Sequence, residues 1–199
     1  MNAYRFRSTA TDPLARGHEF GAAHLRQVAA TVAAYQRLFD RAAGTAVDLD
    51  HWGAQAYDAI AAVSPALADE VIGIAAGAGL PRNHVAAINA RTEILAALGA
   101  VGVNECSTVV ALREDAAPVA VQAWDWYADL ADLWLVWEIA HADGRRTTTV
   151  TEYGIVGKIG VNDRGLGILF NILHHRQDGT GSARRSTCSR GPCSTRHAT

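Results

Sequence analysis

The hydrophobic pattern of this chain changes character at Cys106, and that change limits the fold more than any other feature. Before Cys106, apolar residues recur every three to four positions, which is typical of amphipathic helices. After it, short β-rich runs are separated by polar turns, which is typical of strands. Helices that precede a sheet indicate the α+β class. The clearest helical face carries Phe20, His24, Val28, Val32, Tyr35 and Phe39.

Four helices are predicted in the helical part, residues 17–100. Ser64 and Pro65 supply an N-cap and a first-turn proline for the third helix, and Gly77 and Gly79 are expected to end it. Pro81 then begins the fourth helix. The predicted helices cover residues 17–43, 52–62, 65–76 and 81–98.

The β-rich part, residues 106–175, is predicted to contain three pairs of strands. The strands are mostly apolar on both faces. Strands of that kind usually lie inside a layered fold, so we expect them to be covered on each side. The predicted pairs are 108–112 with 118–124, 134–141 with 147–153, and 155–161 with 166–173.

Composition limits the partners of this chain. Its 199 residues are 49% hydrophobic and 19% charged, which is enough apolar material for a core. The net charge of −2 provides no basic field, so no nucleic-acid partner is expected. Neither an apolar run of about 18 residues nor a signal-peptide core occurs, which predicts a cytoplasmic protein that does not use a membrane. The oligomeric state stays open.

The last residues differ in character from the rest. From Arg176 onward there is no large apolar residue, but there are five arginines and one acidic residue. One interpretation is a disordered basic tail. The other is an altered reading frame, because a two-base shift after Arg185 permits an apolar string at helical spacing. We expect residues 1–180 to form the N-terminal part of one longer domain, and 181–199 to be a disordered or non-native tail.

Cys106 is a candidate nucleophile, because a thiolate attacks carbonyls well when its pKa is lowered or a base is adjacent. It begins the first predicted hairpin, and Asp125 follows the second strand of that hairpin, so the turn brings the two residues together. The alternatives are a buried, inert cysteine and an aspartate that caps a following helix. The other cysteines, Cys188 and Cys193, lie in the tail.

Five short motifs occur in order within residues 17–180. They are D-E-V-I-G-I-A-A-G-A-G-L-P at 69–81, I-N-A-R-T-E-I at 88–94, E-C-S at 105–107, Q-A-W-D-W at 122–126 and T-E-Y-G-I-V-G-K-I-G-V-N-D-R-G-L-G at 151–167. In these motifs the chain resembles the acyl-coenzyme A:6-aminopenicillanic acid acyltransferase (isopenicillin-N acyltransferase) family of N-terminal-nucleophile hydrolases. The resemblance implies a four-layer αββα sandwich, of which this chain is the N-terminal part, since family members are considerably longer.

The resemblance also implies a self-processing enzyme that cuts its own chain between Glu105 and Cys106. The freed α-amine of Cys106 accepts the thiol proton. An acyl group then moves from a small-molecule amide or acyl thioester to the sulfur, and water or an amine removes it. No metal or organic cofactor is implied, and acyl-coenzyme A would be a substrate.

The family pattern carries over to several further positions. Asp125 matches the acid that would hold the α-amine. Asn171 matches a residue that donates a hydrogen bond to the oxyanion. The alternative is an amide that only satisfies hydrogen bonds at the end of a strand. Glu105 departs from the pattern, because the fungal enzyme cuts after glycine. The predicted substrate-binding residues are Gln122, Trp124 and Trp126.

The rival hypothesis is a truncated, catalytically inactive remnant or binding module of the same fold, in which Cys106 belongs only to the core. Two other patterns carry less weight. Arg91 and Glu93 could form an ion pair on the helix surface, which is usually a structural role. The G-I-V-G-K-I-G run around Lys158 lacks the spacing of a phosphate loop, so nucleotide binding is not predicted.

Overall fold

The computed structural model describes residues 4–100 and 106–171. Within these residues, six helices come before all but one of the strands, so the helix and strand content is compatible with the predicted α+β class. The strands form a five-stranded sheet and a separate two-stranded hairpin. The elements are β1 (Arg5–Arg7), α1 (Pro13–Ala23), α2 (Leu25–Ala43), α3 (Leu49–Val63), α4 (Pro65–Ala78), α5 (Arg82–Asn89), α6 (Arg91–Ala97), β2 (Ser107–Arg113), β3 (Ala116–Ala123), a short 3-10 helix (Ala128–Leu130), β4 (Trp134–Ala140), β5 (Arg146–Glu152), β6 (Ile159–Asn162) and β7 (Gly167–Ile168).

The longest predicted helix is two helices in the structure. The break falls at His24, whose backbone (φ −128°, ψ 27°) leaves the helical region. The His24 ring is buried against the rings of Phe6 and Phe20, with centroids 4.7 and 4.9 Å away, and burial lowers its pKa. The predicted apolar face is confirmed, because each of its six residues is at most 7% exposed.

Local signals set the limits of α4, which confirms the predicted start of the third helix. The Ser64 hydroxyl accepts a hydrogen bond from the Leu67 N–H at 3.4 Å, and a proline fills the first turn. The helix ends at Gly79, whose φ of 66° is left-handed. The fourth predicted helix is divided at Ala90 into α5 and α6.

Helices α1 and α4 cross with their backbones in direct contact. Gly17 and Gly21 face Gly73 and Gly77, and a Cβ on any of the four would lie within 3.0 Å of backbone atoms of the other helix. Residues four positions apart share one helix face, so the two pairs form a continuous contact. Gly77 therefore serves close packing inside α4 and does not end that helix.

The five-stranded sheet has the order β1-β4-β5-β6-β7. The antiparallel pairs β4–β5 and β6–β7 confirm two predicted strand pairs, although β6 begins only at Ile159. Strand β1 was not predicted; it lies parallel to β4. Trp137 of β4 is fully buried, and its ring packs 4.3 Å from that of Phe20. This contact joins the sheet to α1.

Strands β2 and β3 form the first predicted hairpin, which is confirmed by its antiparallel pairing. The expectation that such strands are covered on both faces is wrong here, because the hairpin forms a sheet of its own and does not join the five-stranded sheet. Its large apolar residues are at least 48% exposed: Val109, Val110, Leu112, Val119 and Val121.

The longest described helix is α2, with 19 residues and several charged side chains. None of the helices within residues 4–100 and 106–171 combines the length and the apolar character that crossing a membrane requires.

Candidate functional site

The hairpin register places Cys106 and Asp125 at the same end of β2 and β3. The last backbone pair is Ser107 with Ala123, so Cys106 precedes β2 at the end of the hairpin where Trp124 and Asp125 follow β3. Cys106 is partly buried and Asp125 is exposed. The short helix that follows has Tyr127 as its N-cap, so Asp125 is not the cap. Glu105, on the other side of the predicted cut, lies outside the described residues.

The amine of Lys158 lies against two tryptophan rings. Its Nζ is 3.5 Å from the centre of the Trp124 ring and 4.8 Å from that of Trp126. Trp126 is held in place by its Nε1–H, which donates to the Tyr35 hydroxyl at 2.7 Å. In its protonated form, this amine is attracted to the aromatic faces. The two tryptophans of the Q-A-W-D-W motif therefore enclose an amine of the chain itself, and we call this arrangement of Lys158, Trp124 and Trp126 the tryptophan cage.

A buried carboxylate connects the tryptophan cage to the helices. Glu152 has no exposed surface and accepts a 2.5 Å hydrogen bond from the Tyr35 hydroxyl. It pairs with Arg91 at 3.0 Å and with Lys158 at 3.6 Å. Buried charges are costly unless they are paired and hydrogen-bonded. These contacts hold β5, α2 and α6 together beneath the site.

Burial lowers the pKa of Lys158 to about 6. The charge of Arg91 acts in the same direction, whereas Glu152 and Cys106 raise the pKa. Burial raises the pKa of Tyr35 well above its usual value, and the charge of Glu152 adds to this. At neutral pH, Tyr35 therefore stays protonated, while Lys158 is largely uncharged.

The low pKa of Lys158 makes a prediction about stability. Between pH about 6 and the ordinary lysine value of 10.5, the unfolded chain holds a proton at this residue that the folded chain lacks. Unfolding then takes up a proton, so this contribution to stability rises as the pH increases. We expect the difference in urea midpoint between the wild type and Lys158→Met to become more favourable to the wild type from pH 7 to pH 9. An unchanged difference would contradict the low pKa.

Gln122 and Asn171 connect the hairpin to the chain after β7. The Gln122 side chain accepts a hydrogen bond from the Phe170 N–H at 2.7 Å and donates one to the Phe170 carbonyl. Asn171 Oδ1 accepts a hydrogen bond from the Thr108 hydroxyl at 2.9 Å. The structure therefore brings Asn171 to β2, two residues beyond Cys106. The amide of Gln122, a predicted substrate-binding residue, bonds to backbone in this structure.

A cavity of about 590 Å³ lies between the first turns of α1 and α4 and strands β4–β7. It is lined in part by the buried ion pair of Arg16 and Glu70, whose atoms are 2.8 Å apart. Lys158 also lines this cavity, but neither Cys106 nor Asp125 does. Lys158 is therefore shared between the cavity and the tryptophan cage.

No role was predicted for Lys158, Glu152 or Tyr35 from the sequence. One signal was available, because Lys158 is the only lysine in the chain and stands in an apolar run. Glu152 ends a strand that faces the core, which is an unusual place for a carboxylate. The pairing of these residues depends on elements far apart in sequence, so the pattern alone did not indicate it.

Comparison with known proteins gives a distant similarity to an acyltransferase. No protein-family model matches the chain. Over 110 residues, or 55% of the chain, it is 29% identical to the acyl-coenzyme A:6-aminopenicillanic-acid-acyltransferase 40 kDa form of Emericella nidulans. The match spans 30% of the length of that relative. The similarity therefore supports a distant relationship to an acyltransferase.

Proposed function

We propose that this chain carries the nucleophile of a self-processing cysteine hydrolase or acyltransferase of the N-terminal-nucleophile type. The observation that carries the proposal is the pairing of Ser107 with Ala123, because Cys106 precedes one strand and Asp125 follows the other at that end of the hairpin. The distant similarity to a penicillin acyltransferase supports the class of reaction. The substrate is a small-molecule amide or acyl thioester.

The first step is a cut between Glu105 and Cys106. The Cys106 sulfur attacks the carbonyl carbon of Glu105, the C–N bond breaks, and the nitrogen takes a proton to become the free α-amine. The acyl part of the chain is then held on the sulfur as a thioester, which water hydrolyses. After this step, one residue supplies both a nucleophile and a base.

In the second step, the α-amine accepts the thiol proton and the thiolate attacks the substrate carbonyl. Asp125 holds the α-amine and so orients the sulfur. The leaving group departs, the acyl group stays on the sulfur, and water or an amine then removes it. Acyl-coenzyme A is a donor in this scheme and not a resident cofactor.

The oxyanion formed in each attack needs a donor, and we assign this role to Asn171. Because its Oδ1 accepts from Thr108, its amide NH₂ is the end that donates. Removing one such donor costs other enzymes about 3–4 kcal/mol of transition-state stabilisation. Trp124 and Trp126 form an apolar wall for the acyl group, and Gln122 holds the neighbouring backbone.

The test is the mass of the purified protein. We expect the wild type to yield two pieces of roughly half the chain each, with Cys106 at the start of the second. Cys106→Ala should leave one uncut chain, because no nucleophile remains. Intact-mass spectrometry and N-terminal sequencing of the second piece measure both results.

Cys188→Ala is the matched control, since it removes a thiol from the tail and should not change the cut. A wild-type chain that stays whole and whose Cys106 does not react with alkylating reagents would contradict the proposal. That result would favour the inactive remnant or binding module.

A further inference from the structure

We propose that the cavity between α1, α4 and the five-stranded sheet binds an uncharged small molecule that has an apolar body and a carbonyl group. The cavity measures about 590 Å³, which lies within the range of about 300–1,000 Å³ that small-molecule sites occupy. Neither Cys106 nor Asp125 lines it. The cavity is therefore a second site, and the inference does not depend on the self-cleavage of the chain.

The wall of the cavity is mostly apolar. One side is the first turn of α4, and the other is the five-stranded sheet. The apolar side chains on these two sides include Pro65, Leu67, Ile139, Ile159 and Ile168. Each Å² of apolar ligand surface that this wall removes from water contributes about 25 cal/mol. The wall therefore favours a ligand with an apolar body.

The charged groups at the cavity already have partners of opposite charge. Arg16 Nε and Nη2 bind the two carboxylate oxygens of Glu70, at 2.8 and 2.9 Å. Arg145 pairs with Asp143 at 2.5 Å. A charged ligand would either keep its own charge unpaired or displace one of these partners, and both outcomes cost free energy. The cavity therefore favours an uncharged ligand.

Two further ionisable residues line the cavity, His141 and Lys158. The Nε2 atom of His141 is hydrogen-bonded to the Thr147 hydroxyl at 3.0 Å, and burial lowers the pKa of the ring. Lys158 has its own carboxylate partner, Glu152, at 3.6 Å. Neither residue therefore presents an unbalanced charge to a ligand.

Arg16 provides hydrogen-bond donors for a ligand oxygen. A guanidinium has five N–H groups. Within residues 4–100 and 106–171, three of those of Arg16 have acceptors, because two bonds go to Glu70 and Nη1 donates to the Thr11 carbonyl at 2.9 Å. One N–H of each terminal nitrogen remains, on a residue that is 4% exposed. A carbonyl oxygen accepts such a bond without adding a negative charge beside Glu70.

The experiment measures the binding of three probes of similar length by ligand-observed NMR: methyl octanoate, octanoate and octylamine. The background is Cys106→Ala, so that no acyl transfer consumes the ester. We expect the ester to bind about tenfold or more tightly than either ion, because both ions lose their hydration in the cavity. The infrared carbonyl stretch of the bound ester should lie at a lower frequency than in an apolar solvent, because Arg16 donates to it.

Gly157→Leu places a side chain in the cavity. Gly157 lines the cavity, and a Cβ built on it meets no atom of the described residues within 4 Å. Its φ is not left-handed, so the backbone accepts leucine. We expect this variant to bind the ester about tenfold or more weakly. Gly167→Leu is the matched control, because Gly167 also has space for a side chain but does not line the cavity.

Three results would overturn the inference. One is ester binding that is absent, or no tighter than that of octanoate and octylamine, which needs no glycine variant. Another is an unshifted carbonyl stretch in the bound ester. The third is equal ester binding by Gly157→Leu and Gly167→Leu, which would place the ester elsewhere on the chain. Thermal unfolding verifies that both variants are folded.

Discussion

Placing a valine at Gly21 should lower the free energy of unfolding by about 3 kcal/mol or more. A Cβ at Gly21 would lie 3.0 Å from the carbonyl carbon of Ile74 and closer still to its oxygen. These are backbone atoms, so no side-chain rotation relieves the overlap, and α1 must move away from α4. Phe20, the neighbour of Gly21, would then lose its packing against Trp137. Urea unfolding followed by circular dichroism measures the loss.

Ala22→Val is the matched control for this experiment. Ala22 is the next residue of α1 and is exposed, so a larger side chain there has room that Gly21 lacks. Its effect should be limited to the small difference in helix propensity, roughly 0.5 kcal/mol. Similar losses for the two variants would contradict the close crossing at Gly21 and point to helix propensity as the cause.

Removing the charge of Glu152 by Glu152→Gln should destabilise the protein by about 3–5 kcal/mol. The substitution keeps the shape of the side chain, and Tyr35 can still donate to the remaining oxygen. Arg91, however, loses the carboxylate that pairs with it at 3.0 Å, and it is only 2% exposed. A buried cation without its counter-charge carries the full cost of its desolvation. Urea midpoints at one pH measure the loss.

Glu138→Gln is the corresponding change at the surface. Glu138 pairs with Arg5 and Arg7, whose side chains are mostly exposed. Water screens such pairs, so the midpoint should move little. Equal losses of stability in the two glutamine variants would contradict the prediction that the buried contacts of Glu152 contribute more than the surface pairs of Glu138.

The helical half shows which features a local pattern can predict. The start of α4 follows from Ser64 and its end from Gly79, because caps depend on neighbouring residues only. The break at His24 has no such signal, since neither glycine nor proline marks it. The bend reflects two packing partners, the α4 crossing for α1 and the aromatic cluster around His24. Sequence periodicity does not contain that information.

The residues of the candidate site also fall into two groups, those that a local pattern indicates and those that it does not. Cys106 and Asp125 were predicted to meet because one hairpin connects them, and hairpins follow from local turn signals. The contacts of Lys158 were not predicted, because Glu152 and the tryptophans reach it from β5 and from the segment after β3. Strand β1 was missed for a related reason: its partner β4 lies about 130 residues away, and its three residues carry no pattern of their own.

The exposed apolar residues of the hairpin predict that this chain associates with itself as the protein concentration rises. Two-stranded ribbons with apolar residues on both faces readily add strands from other molecules. Such pairing would bury Val109 and Val121, and it would extend to the end where Cys106 lies. Self-association would then cover the sulfur that we propose as the nucleophile. Dilution should therefore expose the thiol, and rates measured at several dilutions distinguish a blocked sulfur from an unreactive one.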